Sequence, residues 1–174
     1  MFLKFIKDFA LKKIINKSLA QYKPASSSDV VHTVGLLIDE TYFTDKESFV
    51  EELVANGIKE SDITIFIYKN RISKKDAKVI DYPYFTYKDI SQLGNFTKEE
   101  IAAFVNTPFD MLISYYDVEK APLVLATLQS KAKFKVGFGH VDKRLNTFMI
   151  TTVAEKYKEF TAELFKYLKI LNKI

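Results

Sequence analysis

The side chains best suited to chemistry follow three apolar segments of the chain, VGLLIDE, LISYYD and KVGFGHVDKR. They comprise acids, hydroxyls, one histidine and one arginine: Asp39, Glu40, Ser114, Tyr116, Asp117, His140 and Arg144. Acids beside a histidine and an arginine could exchange protons with a bound ligand. Their spacing is unspecific, however. We expect Asp117 to cap the next helix and His140 to be a solvated loop residue. The sequence therefore offers ligand-cleft candidates without a catalytic residue, and it favours a protein that is not an enzyme.

Specific phosphate and metal motifs are missing from the sequence. GFGHVD, residues 137–142, begins like a dinucleotide-binding fingerprint but lacks the third glycine and lies late in the chain, whereas that fingerprint follows the first strand. The chain has no cysteine and two histidines, which excludes disulfides, thiolate chemistry and a multi-histidine metal site. We expect no cofactor and, because cysteine is absent, a reducing compartment, the cytoplasm.

Alternating strands and helices must position the strand-end residues. Strands are predicted at 31–39, 62–68, 109–116, 134–138 and 147–151, with a short edge strand near 84–86 inside an irregular stretch. This alternation is typical of a single doubly wound, three-layer, mostly parallel α/β sheet of the Rossmann-like class. Ligands of such sheets bind beyond the carboxyl ends of the strands.

Helix starts are indicated by three capping-box patterns, opened by Thr44, Thr97 and Thr152. A further helix is predicted at about 118–130, with Pro122 in its first turn. The final helix carries a single apolar stripe, which predicts that it docks on the core. The stripe consists of Val153, Tyr157, Phe160, Leu164, Leu168 and Leu171.

The positive charge of the chain is concentrated at its beginning. Residues 1–23 contain six lysines and one acid, a charge of +5, whereas the remainder carries −1. Lysines and an aspartate interrupt this segment every few residues, so we expect neither a signal peptide nor a transmembrane segment. We predict a basic helical arm at 1–23, a linker at 24–30 and an α/β domain at 31–174. A basic arm on a nearly neutral body indicates an anionic partner.

The apolar residues of the arm occupy two faces of a helical wheel. Phe2, Phe5, Ile6 and Phe9 share one face, and Leu11, Ile15, Leu19 and Tyr22 share another, rotated by roughly 130°. Either the helix makes two different contacts, one with its own domain, or it breaks near Ala10. A membrane-surface helix needs one wide apolar face, so the divided pattern argues against that partner.

These features lead to three hypotheses. The first is a non-enzymatic protein that docks on rRNA in the ribosome, or on another ribonucleoprotein. Its phosphate contacts would come from six lysines: Lys4, Lys7, Lys12, Lys13, Lys17 and Lys23. The second is self-association through the N-terminal helix without nucleic acid. The third is a small-ligand or glycosyltransferase-like module with a cleft at the carboxyl ends of the strands, lined by the seven candidate residues named above.

Three phrases of the sequence carry a resemblance: FDMLISYYD, SKAKFKVGF and LFKYLKILNKI. Together they resemble an uncharacterised family of small Bacteroidota proteins of unknown function, over most of the chain from Val34 onward. Residues 109–138 are also similar to part of the N-terminal half of heptosyltransferase-like glycosyltransferases, which bind the nucleotide sugar in a second Rossmann-like domain. This second resemblance implies an α/β fold.

Overall fold

The computed structural model describes residues 2–25, 27–72 and 81–174, with side chains from Lys4 onward in the first helix. Its strands are β1 (Val34–Asp39), β2 (Ile63–Tyr68), β3 (Tyr84–Phe85), β4 (Met111–Tyr115), β5 (Phe134–Phe138) and β6 (Phe148–Ile150). Its α-helices are α1 (Phe2–Gln21), α2 (Lys46–Ala55), α3 (Glu99–Asn106), α4 (Ala121–Gln129) and α5 (Tyr157–Ile170). The predicted strands are confirmed, several with shorter ends. Part of the predicted irregular stretch, 73–80, lies outside the described residues.

The strands form one parallel sheet in the order β3-β2-β1-β4-β5-β6. The chain builds outward from β1 in one direction and then from β4 in the other. The strand order therefore reverses between these two neighbours, which confirms the predicted doubly wound, Rossmann-like sheet. Every residue of β1, β4 and β5 is buried, because helices cover both faces of the sheet.

The capping-box predictions were wrong in position. The helices begin later than predicted, after Asp45, Lys98 and Lys156, and none of these residues uses its side chain as a cap. The hydroxyl of Thr152 instead donates to Glu159, at 3.2 Å. The cap is absent because helical backbone begins only at Tyr157, too far along the chain for Thr152 to accept a first-turn N–H.

A capping box does form at a place where none was predicted. Thr86 accepts a hydrogen bond from the backbone of Lys88, and Asp89 accepts one from the backbone of Thr86 at 2.7 Å. It fixes a 3₁₀ turn, Tyr87–Asp89, directly after β3. This turn forms part of the wall of a cleft beyond the carboxyl ends of β2 and β3.

The face of the sheet under α2 and α5 is packed with aromatic rings. Phe49 from α2, Tyr115 from β4 and Phe160 from α5 lie with centroids 4.3 to 6.0 Å apart. The stripe on α5 is confirmed at its centre, where Phe160, Leu164 and Leu168 are buried. The prediction is wrong at the two ends of the stripe, because Val153 and Leu171 are exposed and lie outside the helix.

The opposite face is covered by α3 and α4, and α1 in turn covers α4. Residues 122–127 of α4 are all buried, which a surface helix in contact with only one layer could not achieve. Leu11 of α1 packs with Leu125 of α4 in a small apolar cluster, and Leu19 joins the main core of this face. The first helix is continuous through Ala10 and completes the burial of α4.

Candidate functional site

The acids at the end of β1 are held in ion pairs. One carboxylate oxygen of Asp39 lies 2.5 Å from Nζ of Lys120, and the other accepts the backbone N–H of Thr41. Glu40 lies 2.7 Å from Lys46 and 2.5 Å from Lys69. Burial acts to raise the pKa of Glu40, but the hydrogen bonds from the two lysines outweigh it and hold that pKa below its usual value. Both acids are therefore paired with lysines.

The predicted hydroxyls of β4 lie inside the domain. The hydroxyls of Ser114 and Tyr116 are 3.0 and 2.8 Å from the hydroxyl of Thr127 on α4. Burial raises the pKa of Tyr116 well above its usual value. These side chains hydrogen-bond α4 to the sheet and do not open on the strand-end surface.

The remaining predicted residues do not meet one another. Asp117 accepts the backbone N–H of Ala154 at 3.0 Å, so its predicted role as a helix cap is wrong, and Lys120 precedes α4 instead. Arg144 pairs with Asp142 at 2.5 Å, and His140 is exposed. The structure therefore assembles no acid–base constellation from the predicted set.

One buried group that was not predicted is the ammonium of Lys135 in β5. Its side chain is on the α4 face of the sheet and donates to the carbonyl of Thr127 and the hydroxyl of Tyr22, both at 2.6 Å. Burial, assisted by Lys131, lowers the pKa of Lys135 to about 7. The signal in the sequence was a single lysine within the otherwise apolar strand FKVGF. Tyr22 follows α1, so this contact also attaches the end of α1 to the sheet.

An open cleft of about 960 Å³ lies beyond the carboxyl ends of β2 and β3, between α1 and the first turn of α4. We call it the strand-end cleft. Its lining includes residues from the two strand ends and the 3₁₀ turn, with α1 and the start of α4: Tyr68, Asn70, Arg71, Ile72, Tyr84, Thr86, Tyr87, Lys88, Asp89, Lys4, Asp8, Lys120, Ala121 and Pro122. The seven predicted cleft residues, all described in the structure, are not in this lining, although Asp39 pairs with Lys120.

The second candidate surface is the side of α1 that faces away from the domain. It presents Phe5, Ile6 and Phe9 in its first half and Lys12, Lys13 and Lys17 in its second half, and we call these six residues the outer face of α1. Phe5 and Phe9 are 71% and 68% exposed. The predicted two-faced helix is thus observed: Leu11 and Leu19 pack inward, whereas the aromatic residues point outward.

The other predicted arm lysines are placed differently. Lys7 faces the domain, where its Nζ donates to the carbonyl of Tyr87 at 2.9 Å and lies 4.2 Å from the centre of that ring. Lys4 lines the strand-end cleft, and Lys23 is exposed beyond the end of the helix. Only three of the six predicted lysines therefore belong to the outer face.

In the described part of the chain, no helix is sufficiently long and apolar to cross a bilayer. Within the same ranges, no three histidine or acidic side chains are grouped so that they could hold a metal ion.

Together these features define a single Rossmann-like α/β domain with a strand-end cleft and an exposed basic and aromatic helix face. Residues 7–171 match the model of a family of unknown function, DUF6913, and the chain belongs to this family. No curated protein matches the sequence.

A solved structure of a mutant O-GlcNAc transferase from Thermobaculum terrenum is similar to part of the chain. The two are 14% identical, and the match covers 68% of this chain and 23% of the transferase, with a TM-score of 0.34. At that score the similarity carries no argument about activity.

Proposed function

We propose that this chain is a non-enzymatic binding protein of the cytoplasm that docks on RNA, and specifically on ribosomal RNA, through the outer face of α1. The observation that supports the proposal is the exposure of Phe5 and Phe9, at 71% and 68%, on the same side of one helix as three exposed lysines. The fold of the domain requires neither these two aromatic rings nor these three lysines. Large exposed apolar side chains beside charged ones are typical of interaction surfaces.

RNA satisfies both halves of the outer face. The ammonium groups of Lys12, Lys13 and Lys17 can neutralise phosphates, an interaction that does not depend on base sequence. The rings of Phe5 and Phe9 can stack on unpaired bases, as aromatic side chains do in loops and ends of RNA. Because these contacts follow one another along the helix, one RNA segment lying along α1 would reach all five side chains.

An anionic membrane fits the same surface less well. A helix in a membrane interface needs an apolar band along its whole length. The large exposed apolar side chains of α1 end at Phe9, and the following turns present Lys12, Lys13, Asn16 and Lys17 on that side. The axial separation of apolar and basic residues therefore favours RNA.

The test is co-sedimentation of the full-length protein with ribosomes at low and at high salt. Point substitutions are required, because deletion of residues 1–23 would remove the cover of α4 and unfold the binding protein itself. We expect Lys12→Glu, Lys13→Glu and Lys17→Glu together to abolish co-sedimentation. Phe5→Ser with Phe9→Ser should weaken it about tenfold or more, since base stacking contributes roughly 1–3 kcal/mol per base.

The matched control carries the same charge change at exposed lysines elsewhere, Lys59→Glu, Lys143→Glu and Lys169→Glu. This control should sediment like the unsubstituted protein. An equal loss of co-sedimentation in both triple variants would show that the effect comes from net charge alone, and it would contradict the proposal. Binding to vesicles containing anionic lipid in place of ribosomes, or a dimer that dissociates on Phe5→Ser and Phe9→Ser, would also contradict it.

A further inference from the structure

We propose that the strand-end cleft binds a small phosphate ester whose organic part contains a ring, at a site separate from the outer face of α1. The cleft has about 960 Å³ of space, at the upper end of the range of small-molecule sites. It lies beyond the carboxyl ends of β2 and β3, and the first turn of α4, which follows β4, forms part of its wall. Open α/β sheets bind their ligands beyond the carboxyl ends of their strands.

The charges of the cleft favour an anion. Lys4, Lys88 and Arg71 line it, and among the described residues no carboxylate lies within 4.0 Å of their cationic groups. The two acids in the lining already have partners of their own. Asp8 accepts the hydroxyl of Tyr87 at 2.6 Å, and Asp89 accepts the backbone and hydroxyl of Thr86. Three cations that have no carboxylate partner among the described residues therefore line a space that a phosphate can enter.

The fourth cation, Lys120, is fixed in position. Its Nζ lies 2.5 Å from Asp39 and 4.4 and 5.4 Å from the ring centres of Tyr42 and Tyr68. Asp39 compensates the charge of this ammonium, and Nζ of Lys120 is buried. Lys120 therefore closes one side of the cleft and adds no free positive charge to it.

The walls of the cleft favour a ring in the organic part of the ligand. Tyr84 and Tyr87 are partly exposed and contribute aromatic surface, whereas Tyr68 is buried behind them. The 3₁₀ turn and its capping box hold Tyr87, and Lys98 donates to the carbonyl of Tyr84 at 2.6 Å. Such side chains are suited to contact the flat or apolar side of a sugar or a base. Charge and wall chemistry together specify a sugar phosphate or a nucleotide.

The cleft and the outer face can be tested separately although both use α1. Lys4 lines the cleft, whereas Phe5, the next residue, is 71% exposed on the other side of the helix. Substitutions of the first group should affect only the small ligand. Substitutions of the second should affect only RNA.

The experiment is isothermal titration of the full-length protein with adenosine 5′-monophosphate, ribose 5-phosphate, inorganic phosphate and adenosine. We expect both esters to bind, and adenosine to bind at least about tenfold more weakly than its monophosphate, because charge-assisted hydrogen bonds are lost. Tighter binding of adenosine 5′-monophosphate would identify nucleotides as the class. Equal or tighter binding of ribose 5-phosphate would identify sugar phosphates.

Variants then locate the site. Lys4→Ala with Lys88→Ala should weaken the better ester about tenfold or more. Lys12→Ala with Lys59→Ala, which removes the same charge from exposed positions outside the cleft, should leave its affinity unchanged, as should Phe5→Ser with Phe9→Ser. The proposal is overturned if neither ester binds at about 1 mM, if adenosine binds as well as its monophosphate, or if the two double-alanine variants lose equal affinity.

Discussion

The first and last helices, α1 and α5, are the longest in the described chain and lie on opposite faces of the sheet. In α5 the apolar residues Phe160, Leu164 and Leu168 are all buried, and the exposed side carries ion pairs of lysine with glutamate. Among the described side chains of α1, from Lys4 onward, Leu11 and Leu19 are the buried ones, while Phe5 and Phe9 are exposed.

This difference between α5 and α1 distinguishes apolar side chains that the fold needs from apolar side chains that it does not need. Every large apolar side chain in the central stripe of α5 is explained by contact with its own domain. The aromatic residues of α1 have no such explanation, since the inward side of their helix is occupied by Lys4, Lys7 and Asp8. The reason for proposing a partner at α1 is that two exposed aromatic side chains lie one turn apart on the same side of this helix.

The largest expected effect on the free energy of unfolding comes from a substitution in α5. Leu164→Ala removes a fully buried side chain and should lower the free energy of unfolding by about 4 kcal/mol, from lost burial and the cavity left behind. Urea unfolding followed by circular dichroism measures it. Leu171→Ala, at an exposed position beyond the helix, is the control and should change little. Similar losses in both would show that the stripe does not dock as described.

The next effect tests whether α1 belongs to the folded core. Leu11→Ala should cost about 3 kcal/mol, because Leu11 is completely buried against α4 and the loop around Ile90. Lys12→Ala is the neighbouring control on the outer face. A loss below about 0.5 kcal/mol for Leu11→Ala would mean that α1 is a detachable arm, and the comparison with α5 would fail.

A pH effect should distinguish the sheet face under α1 from the aromatic face under α5. The pKa of Lys135 is about 7 in the folded protein and 10.5 is its ordinary value, so unfolding takes up a proton between these values. Stability should therefore rise with pH in that window, by up to roughly 1.4 kcal/mol per pH unit. Urea unfolding measured at several pH values from 7 to 9.5 tests whether the free energy of unfolding rises in this way.

The control for this effect is Lys135→Met, which removes the titrating group while keeping an unbranched side chain. Its stability should lack the extra rise, so that the difference between the two proteins changes with pH. Lys143→Met, at an exposed position, should follow the unsubstituted protein. Parallel profiles for the protein and Lys135→Met would show that the buried ammonium does not titrate in this window.

The smallest expected effect concerns the outer face itself. Phe5→Ser with Phe9→Ser should change the free energy of unfolding by less than about 0.5 kcal/mol, as exposed positions usually do. The same urea measurement applies. A large loss of stability would mean that these rings already pack on the domain, and it would remove the reason to assign them a partner.

The fold could be predicted from the sequence wherever one local pattern determined the structure. The continuous apolar segments ending at Asp39 and Tyr116 predicted buried parallel strands, and the spacing of Phe160, Leu164 and Leu168 predicted the docked helix. The two-faced pattern of the first helix was also visible. These features depend only on periodicity, which the chain displays directly.

The site could not be predicted in the same way, because it depends on distant segments that meet only in the fold. Lys4, Arg71 and Lys120 come from three separate parts of the chain, and no spacing rule connects them. Asp117 was expected to cap α4 because it precedes that helix, yet the backbone of Ala154 approaches it instead. Competition between local and distant partners decided these positions.

The most direct test of the central claim is ultraviolet cross-linking of the full-length protein in its own cells, followed by mass spectrometry of the nucleotide-bearing peptides. Docking on RNA through the outer face of α1 predicts nucleotides attached to Phe5 or Phe9, derived from ribosomal RNA. Cross-links on another surface with none on α1, or no RNA recovered with a protein that is expressed and folded, would contradict it.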